Sequence, residues 1–405
     1  MIKLDLDQFI FALSDTVDLV GVDDTLHGKR VGCMAWNCAE ELGFSPAQKK
    51  RLLQIGFLHD CGVSSTWEHH RLVNDLDWDD SQVHCRTGAK RMEFFKPLSS
   101  FSKPILHHHT HWEIVKEMNL DKRIQIEANL IYLLDRIDYL GHVTPGPDWI
   151  SKKKIIQDKI STLKESYFHP ELVDVFMEAS EKEAFWFSLE PMMLVDFIEQ
   201  RKKAQEHIFI SNDQLKAVAE LFAQIVDAKS KYTAEHSLGV ARLSTHLAKQ
   251  SGFDKNTCLK IEVAGLLHDL GKLKIPDNIL QKPGPLDEEE LACMRHHSYV
   301  AYRILKKIRG FEDISIWVGN HHEALDGSGY PFHRKGGELD MESRIITTAD
   351  IFQALAQNRP YRNAQPLGAI VNFLQENAQK GRLDNSIVEM IADNQDQCYQ
   401  IAMAV

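Results

Sequence analysis

The sequence predicts an all-α protein made of two tandem helical domains joined by a helical connection. Apolar residues recur three and four positions apart, as at Val218, Leu221, Phe222 and Ile225, which is the spacing of one buried helix face. Alternating apolar and polar runs long enough for a strand are missing from the sequence. The prediction of two domains rests on a third observation, a repeated order of histidines and aspartates.

Each half of the sequence has a histidine, a His-Asp pair 32 residues later, another histidine, a His-His pair 24 residues after it, and a final aspartate. In the first half these residues are His27, His59, Asp60, His84, His108, His109 and Asp135. In the second half they are His236, His268, Asp269, His297, His321, His322 and Asp350. Two matched intervals in the same order predict two copies of one domain.

We place the first domain at residues 1–195, a connecting helix at 196–210 and the second domain at 211–405. The connection contains Glu199–Glu206, a run of strong helix formers with almost no Gly or Ser nearby, which disfavours a flexible linker. Two helix ends are also predicted. Asp287 and Glu290 have the spacing of a capping box, and Gly252 follows a helix that ends at Gln250.

The composition limits the possible partners and compartments. At 405 residues with 43% apolar and 26% charged residues, the chain is that of an ordinary globular protein, and a net charge of −11 argues against a nucleic-acid polymer as partner. The N-terminus lacks the order of a signal peptide, and no apolar run reaches the length of a membrane span. Seven scattered cysteines without a C-x-x-C pair predict a reducing cytoplasm. A homodimer is left open.

The seven ligand-type residues of the second half are too many for one zinc ion, which takes about four ligands. Two metal ions that share Asp269 as a bridge would use them all, because its neighbour His268 is also a ligand type. Histidines with carboxylates and no thiol suit iron, manganese, nickel or zinc and disfavour calcium and magnesium. Two such ions can activate a hydroxide and hold both oxygens of an in-line phosphoryl displacement.

One stretch, His321–Pro331, places two imidazoles and a carboxylate directly before a glycine-rich turn that contains Tyr330. By itself it is equally typical of a polar surface turn. Together with His268-Asp269-Leu270-Gly271-Lys272 it resembles the HD-GYP family, a branch of the HD phosphohydrolases that hydrolyses cyclic dinucleotides. The resemblance covers roughly residues 220–395 and includes the segments Ile275–Gly284 and Arg359–Arg362.

The resemblance implies a role for each matching position. One metal would be held by His236, His268, Asp269 and Asp350, and the other by Asp269, His297, His321 and His322. Lys272 would face the scissile phosphate as a point cation. Tyr330 would lie beside the substrate, and Arg359 and Arg362 would hold a phosphate. The alternatives are ordinary ones: solvated cations for Lys272 and the arginines, and packing under its turn for Tyr330.

The chemistry that the resemblance implies is attack of a metal-bridging hydroxide on one phosphorus, which opens the cyclic dinucleotide to a linear 5′-phosphorylated product. Asp269 and Lys272 are the expected catalytic residues, and the general acid stays open. Fe or Mn is favoured, with Ni or Zn as alternatives. A cyclic-dinucleotide receptor without turnover and another HD nucleotide phosphohydrolase are the rival functions.

The second half departs from the family pattern at several positions. Trinuclear members have a glutamate where Tyr232 stands, so we expect two metals. Gly239 replaces an arginine, Ala301 a glycine and Gln353 an aspartate. His296 competes with His297 as a ligand, and the family spacing favours His297.

The first half keeps the ligand types but loses the residues that would bind a substrate phosphate. Val63 stands at the lysine position, Thr110–Val115 replaces the glycine-rich turn, and Thr144 and Pro147 align with the two arginines. We expect a degenerate HD-type domain that still binds metal and regulates the second. A structural remnant is the alternative. The arrangement resembles the tandem HD-GYP phosphodiesterases of vibrios that act on 3′,3′-cyclic GMP-AMP (3′,3′-cGAMP).

Overall fold

The protein is almost entirely helical, which confirms the predicted fold class. The structure, a computed structural model, describes residues 2–21, 26–63, 65–201, 207–229, 233–358 and 363–404. The chain divides into two compact units, each of which is described by itself. The first unit comprises Leu6–Glu206, and the second comprises Met1–Asp5 together with His207–Val405.

The first unit consists of helices joined by short connections. Its α-helices are α1 (Leu6–Asp18), α2 (His27–Glu41), α3 (Pro46–Leu58), α4 (Thr66–Asn74), α5 (Gln82–Phe94), α6 (Ser102–His107), α7 (Trp112–Val115), α8 (Lys122–Val143), α9 (Trp149–Ser161), α10 (Pro170–Glu181), α11 (Glu183–Phe187) and α12 (Pro191–Arg201). Its 3-10 helices are Leu19–Gly21, Asp79–Ser81 and Lys96–Phe101.

Helix α8 is the centre of the first unit and packs against α2, α4, α6 and α9. Its residues Leu130, Leu134 and Ile137 are fully buried, so the helix is held on several sides by apolar contacts. Helix α3 begins with a capping box between Ser45 and Gln48, which satisfies the free backbone N–H groups of its first turn. It ends directly before His59 and so directs that side chain into the unit.

The second unit has a similar succession of helices and two short strands. The strands are β1 (Ile2–Asp5) and β2 (His207–Ile210). The α-helices are α13 (Asn212–Lys229), α14 (Thr233–Gln250), α15 (Lys255–Leu267), α16 (Asp277–Leu280), α17 (Glu288–Leu305), α18 (Glu312–Asn320), α19 (Met341–Ala356), α20 (Leu367–Gln379), α21 (Asn385–Asp393) and α22 (Gln395–Met403). Its 3-10 helices are Leu270–Lys274 and Gly336–Glu338.

Both predicted helix ends in the second unit are confirmed. Asp287 caps α17 by accepting from the backbone N–H of Glu290, whose side chain returns to the backbone of Asp287. Helix α14 ends at Gln250. Gly252 follows with a φ of +84°, a conformation that glycine adopts without the steric cost of a Cβ atom.

The predicted connecting helix at 196–210 and the domain bounds need correction. Helix α12 ends at Arg201, and residues 207–210 form β2, because the apolar run Ile208–Ile210 favours a strand. Strand β2 pairs antiparallel with β1, with Ile2 opposite Ile210. Residues 1–5 therefore belong to the second unit instead of the first. Residues 202–206 lie outside the described part of the chain.

Among the described residues, no helix combines the length and the apolar character that a bilayer crossing requires.

Candidate metal centres

Helix ends and helix faces bring all seven predicted ligands of the second unit to one place. His236 lies on α14, His297 on α17 and Asp350 on α19. His268 and Asp269 follow the end of α15, and the His-His pair follows the end of α18. All of these side chains are buried except that of His322, which keeps 28% of its surface exposed.

Short distances divide this cluster into two neighbouring groups. His236 Nε2 lies 3.0 Å from Asp350 Oδ1, and His297 Nε2 lies 3.1 Å from His321 Nε2. A single ion is within reach of His236, His268 and Asp350, and another is within reach of the three histidines His297, His321 and His322. Asp269 lies between the groups: its Oδ2 is 3.2 Å from His268 Nε2 and its Oδ1 is 3.7 Å from His297 Nε2. This arrangement can hold two ions with one shared carboxylate.

Backbone carbonyls orient three of the imidazoles. His268 Nδ1–H donates to the carbonyl of Gly265 at 2.8 Å, and His297 and His321 donate to the carbonyls three residues before them at 2.6 Å. Since each Nδ1 carries the proton, each Nε2 presents a lone pair to the centre of the cluster. Facing lone pairs 3.1 Å apart repel each other, and a cation between them removes that repulsion.

The pKa values of the cluster fit metal binding except at His268, where burial lowers the pKa but Asp269 outweighs burial and raises it. Burial lowers the pKa of His297 to about 3 and that of His322 to about 4, because the charged imidazolium is poorly solvated there. Burial opposes ionisation of Asp269 and Asp350, but His268 beside Asp269 and the hydrogen bond of Asp350 with His236 hold both carboxyl pKa values well below their usual range. Neutral imidazoles and ionised carboxylates are the forms that bind metal.

Lys272 lies at the edge of the cluster, on the 3-10 helix Leu270–Lys274. Its Nζ donates to Asp269 Oδ2 at 2.6 Å, and 16% of the side chain remains exposed. Gly271 permits this arrangement, since a Cβ at that position would lie 1.9 Å from the carbonyl oxygen of His297. The cation is therefore held next to the shared carboxylate and faces solvent.

The glycine-rich turn returns Tyr330 to the cluster. The Tyr330 ring centre lies 4.8 Å from that of His322, and its backbone N–H donates to the His322 carbonyl at 3.1 Å. Gly327 has a φ of +80°. A Cβ at Gly329 would lie 2.4 Å from the Cα of Glu323, so only glycine allows the two backbone segments to approach this closely.

Two contributors to this turn were not predicted from the sequence. Buried Glu323 accepts hydrogen bonds from the backbone N–H groups of Phe332 and Arg334 at 2.6 and 3.1 Å, so it holds the turn closed instead of binding metal. Exposed Arg295 places its guanidinium carbon 5.5 Å from the centre of the Tyr330 ring. No local pattern links Arg295 to Tyr330 in the sequence. Arg359 and Arg362, the predicted phosphate-binding residues, lie outside the described residues.

The first unit brings its seven ligand-type residues together in the same order. His27 lies on α2, His84 on α5 and Asp135 on α8, while the His-Asp pair follows α3 and the His-His pair follows α6. A single ion is within reach of His27, His59 and Asp135, and another within reach of Asp60, His84, His108 and His109. All seven residues are buried.

The first unit also has a carboxylate behind its first histidine, and the second unit does not have one at the matching position. His27 Nδ1–H donates to Asp138 Oδ2 at 2.7 Å, and Arg30 Nε donates to the other oxygen of Asp138 at 2.5 Å. The corresponding positions of the second unit are Gly239 and Gln353. A Cβ at Gly239 would lie 2.2 Å from the amide of Gln353, so the glutamine side chain occupies the space that an arginine would need.

The elements predicted to be lost from the first unit are replaced by apolar or helical structure. Val63, at the lysine position, is buried. Short helix α7 (Trp112–Val115) takes the place of the glycine-rich turn. Thr144 is buried and Pro147 exposed. This unit therefore has ligands without a phosphate-binding cation at the lysine position.

Cys85 is a further polar group that was not predicted as part of the first unit's cluster. Its Sγ lies 3.7 Å from His84 Nε2. Burial raises the pKa of this thiol, but His108 and His84 outweigh burial and lower the pKa to about 6. Ser298 stands at the matching position of the second unit, next to His297.

Comparisons with known proteins agree with two related units. Models of the HD domain match residues 202–387 and 26–140. The 3′3′-cGAMP-specific phosphodiesterase 1 of Vibrio cholerae is 36% identical over 415 residues, which cover 99% of this chain and 94% of that protein. A cyclic di-GMP phosphodiesterase of Thermotoga maritima is 35% identical over 171 residues, 41% of this chain and 46% of that protein.

A solved structure is similar over nearly the whole chain. The crystal structure of a cyclic GMP-AMP-specific phosphodiesterase of V. cholerae covers 97% of this chain and 98% of its own, with a TM-score of 0.67 and 23% identity. The likeness shows a shared fold.

Proposed function

Because the chain belongs to the HD-GYP family of HD-domain proteins, we propose that it is a metal-dependent phosphodiesterase that hydrolyses a cyclic dinucleotide. The observation that carries the proposal is the meeting of seven ligand-type residues with Lys272 and Tyr330 at one place in the second unit. A hydrolase of charged phosphodiesters needs these three features together: ligands for metal, a cation for phosphate and a ring for a base.

The metal ions would be held by two groups that share Asp269, as the distances within the cluster support. When bound, they supply Lewis acidity that activates water and neutralises phosphoryl oxygens. The donor set of imidazoles and carboxylates favours Fe or Mn, with Ni or Zn as alternatives. The carbonyls behind His268, His297 and His321 keep these rings in the orientation that the ions require.

The side chains at the edge of the cluster would bind the substrate. Lys272 is 16% exposed and can turn from Asp269 to a phosphate oxygen. The Tyr330 ring lies beside His322, where it can pack against a nucleobase or ribose. Arg359 and Arg362 would hold the phosphate that is not being cleaved. The product is a linear dinucleotide with a 5′-phosphate, and the protein would act in the cytoplasm.

The preferred substrate in this proposal is 3′,3′-cGAMP, with cyclic di-GMP as the second candidate. A relative that matches almost the whole chain is named for 3′3′-cGAMP, whereas the cyclic di-GMP phosphodiesterase of T. maritima matches less than half of it. We further propose that the first unit regulates catalysis without contributing to it, since Val63 replaces the lysine and α7 replaces the turn.

The test uses the full-length protein with Mn²⁺ or Fe²⁺ and follows both cyclic dinucleotides over time. We expect a linear 5′-phosphorylated product, which Asp269→Asn abolishes because it weakens both metal groups. Asp396→Asn, an exposed aspartate on α22, is the matched control and should keep full activity. Binding of both dinucleotides without turnover would support a receptor instead. Hydrolysis of other nucleotides alone would support another phosphohydrolase.

A further inference from the structure

Four ligand-type side chains of the first unit form a compact group: Asp60, His84, His108 and His109. All four are buried. Asp60 Oδ1 lies 3.3 Å from His84 Nε2 and 3.7 Å from His108 Nε2. Four protein ligands around one point are the full set of a closed tetrahedral zinc site, in which no position is left for a substrate.

The lysine that holds the shared carboxylate in the second unit is replaced in the first unit. In the second unit, the Lys272 ammonium holds Asp269 Oδ2 at 2.6 Å, and Asp269 Oδ1 lies 3.7 Å from His297 Nε2. In the first unit, Val63 stands where the lysine would be, so the Asp60 carboxylate is available to His84 and His108.

Three atoms of the group are buried without a hydrogen-bond partner among the described residues: Asp60 Oδ1, His84 Nδ1 and His109 Nε2. In its neutral form, which is the form that binds metal, His108 donates its Nδ1–H to the carbonyl of Ile105 at 2.6 Å, so its Nε2 lone pair faces Asp60. A carboxylate oxygen and an imidazole lone pair repel each other at 3.7 Å in a buried site. A divalent cation at this point would be a partner for Asp60 Oδ1 and for the Nε2 lone pair of His108.

The neighbouring group has a positive charge of its own. Arg136 donates to Asp135 Oδ2 from both Nη2 and Nε, at 2.7 and 3.2 Å. The same guanidinium also donates to the carbonyls of Leu72, Asp75 and Leu76, which lie at the end of α4 and just after it. Arg136 therefore neutralises Asp135 and holds the end of α4 in place. The matching residue of the second unit, after Asp350, is Ile351.

The first unit's cluster is closed to a large ligand. The His109 side chain keeps 4% of its surface exposed, against 28% for the matching His322. The space beside His27 and Asp60 is a cavity of about 10 Å³, lined also by Val63 and His69. That volume admits about one water molecule. A dinucleotide phosphate has no room there.

We propose that Asp60, His84, His108 and His109 bind one structural zinc ion that takes no substrate. The ion would join the ends of α3 and α6 to α5 and so stabilise the first unit. The three-residue group formed by His27, His59 and Asp135 shares the carboxylate of Asp135 with Arg136, so it would release an ion to a chelator more readily than the four-residue group. The four-residue group thus differs from the groups of the second unit in how it exchanges its metal and in its role.

The test measures the metal content of the full-length protein after dialysis against a chelator. We expect about one equivalent of zinc to remain, because a closed four-ligand site releases its ion slowly. His84→Asn and His109→Asn should lose this zinc and unfold at a lower temperature. His297→Asn, the matched change in the second unit, should retain it, and so should His59→Asn. Equal zinc in wild type and His84→Asn, or loss of zinc in His59→Asn, would overturn the proposal.

A second measurement needs no variant and covers the case in which His84→Asn does not fold. Wild-type protein reconstituted with Co²⁺ and then dialysed against chelator should keep the strong visible absorption of four-coordinate cobalt. Weak absorption typical of six-coordinate cobalt, or none, would contradict a closed site. Both readouts are taken without substrate, so absence of phosphodiesterase activity would leave them valid.

Discussion

Lys272 Nζ lies 2.6 Å from Asp269 Oδ2, so the carboxylate between the two candidate metal positions is also the partner of a lysine ammonium whose side chain is 16% exposed. The same oxygen lies 3.2 Å from His268 Nε2. Metal ions would compete with the ammonium for Asp269, and the ammonium would then be free to bind a phosphate oxygen. Asp269 therefore positions the Lys272 ammonium beside the metal sites before the ammonium moves to a phosphate oxygen.

Lys272→Met should lower kcat by about 10²- to 10³-fold, the usual effect of removing one charge-stabilising donor. The metal content should stay the same or rise, because Asp269 loses a competitor. Lys274→Met on the same 3-10 helix is the control and should keep its kcat. Steady-state kinetics with metal analysis decide the matter. A loss of metal that matches the loss of activity would contradict the assigned role.

Gly329→Ala should lower kcat/KM by about 10²-fold, because a Cβ 2.4 Å from the Glu323 Cα forces the turn outward and moves Tyr330. Gly337→Ala is the control, since a Cβ there has no neighbour within 4 Å. Melting temperatures are measured alongside the kinetics. Unchanged kcat/KM in Gly329→Ala would show that the position of Tyr330 does not matter for the reaction.

Gly239→Arg should lower the free energy of unfolding by about 1–3 kcal/mol, because Gln353 occupies the space that the new side chain needs. The double change Gly239→Arg with Gln353→Asp should recover part of this loss by forming the pair that Arg30 makes with Asp138. Denaturant unfolding of both single variants and the double variant gives the coupling energy. If the effects of the two single changes on the unfolding free energy simply add, the new Arg–Asp pair does not form as the pair of Arg30 with Asp138 does.

The second unit should lose stability in acid when no metal is bound. Burial lowers the pKa of His322 to about 4, whereas an unfolded histidine titrates near about 6.5. The folded state therefore disfavours the proton, and this contribution to stability is complete above about pH 6.5 and is lost as the pH falls toward 4. His322→Asn should show a smaller loss of unfolding free energy than wild type over this range. If the unfolding free energies of wild type and His322→Asn fall equally with pH, the pKa of His322 is not lowered in the folded state.

The meeting of the ligands could be predicted from the sequence because each lies on a helix face or directly after a helix end. Once α15 ends before His268, the direction of the next two side chains is largely set, and the same holds for His59 after α3. Matched intervals in the two halves then predict a common geometry.

Other features of the molecule could not be predicted from the sequence, because they depend on contacts between segments that are distant along the chain. Glu323 was visible as a carboxylate near two histidines, but its bonds to Phe332 and Arg334 depend on how the turn closes. Arg136 reaches three carbonyls about sixty residues earlier in the chain. Pairing of Ile2 with Ile210 joins two four-residue strands that carry too weak a pattern to predict alone.

The pairing of β1 with β2 also decides how this protein can be divided. A cut in the chain near residue 206 would leave the catalytic fragment without residues 2–5 and would expose the edge of β2 to unwanted pairing with other chains. A faithful catalytic fragment would need that strand restored, for example by fusing residues 2–5 behind a short linker ahead of His207. In topological terms the first unit is an insertion within the second.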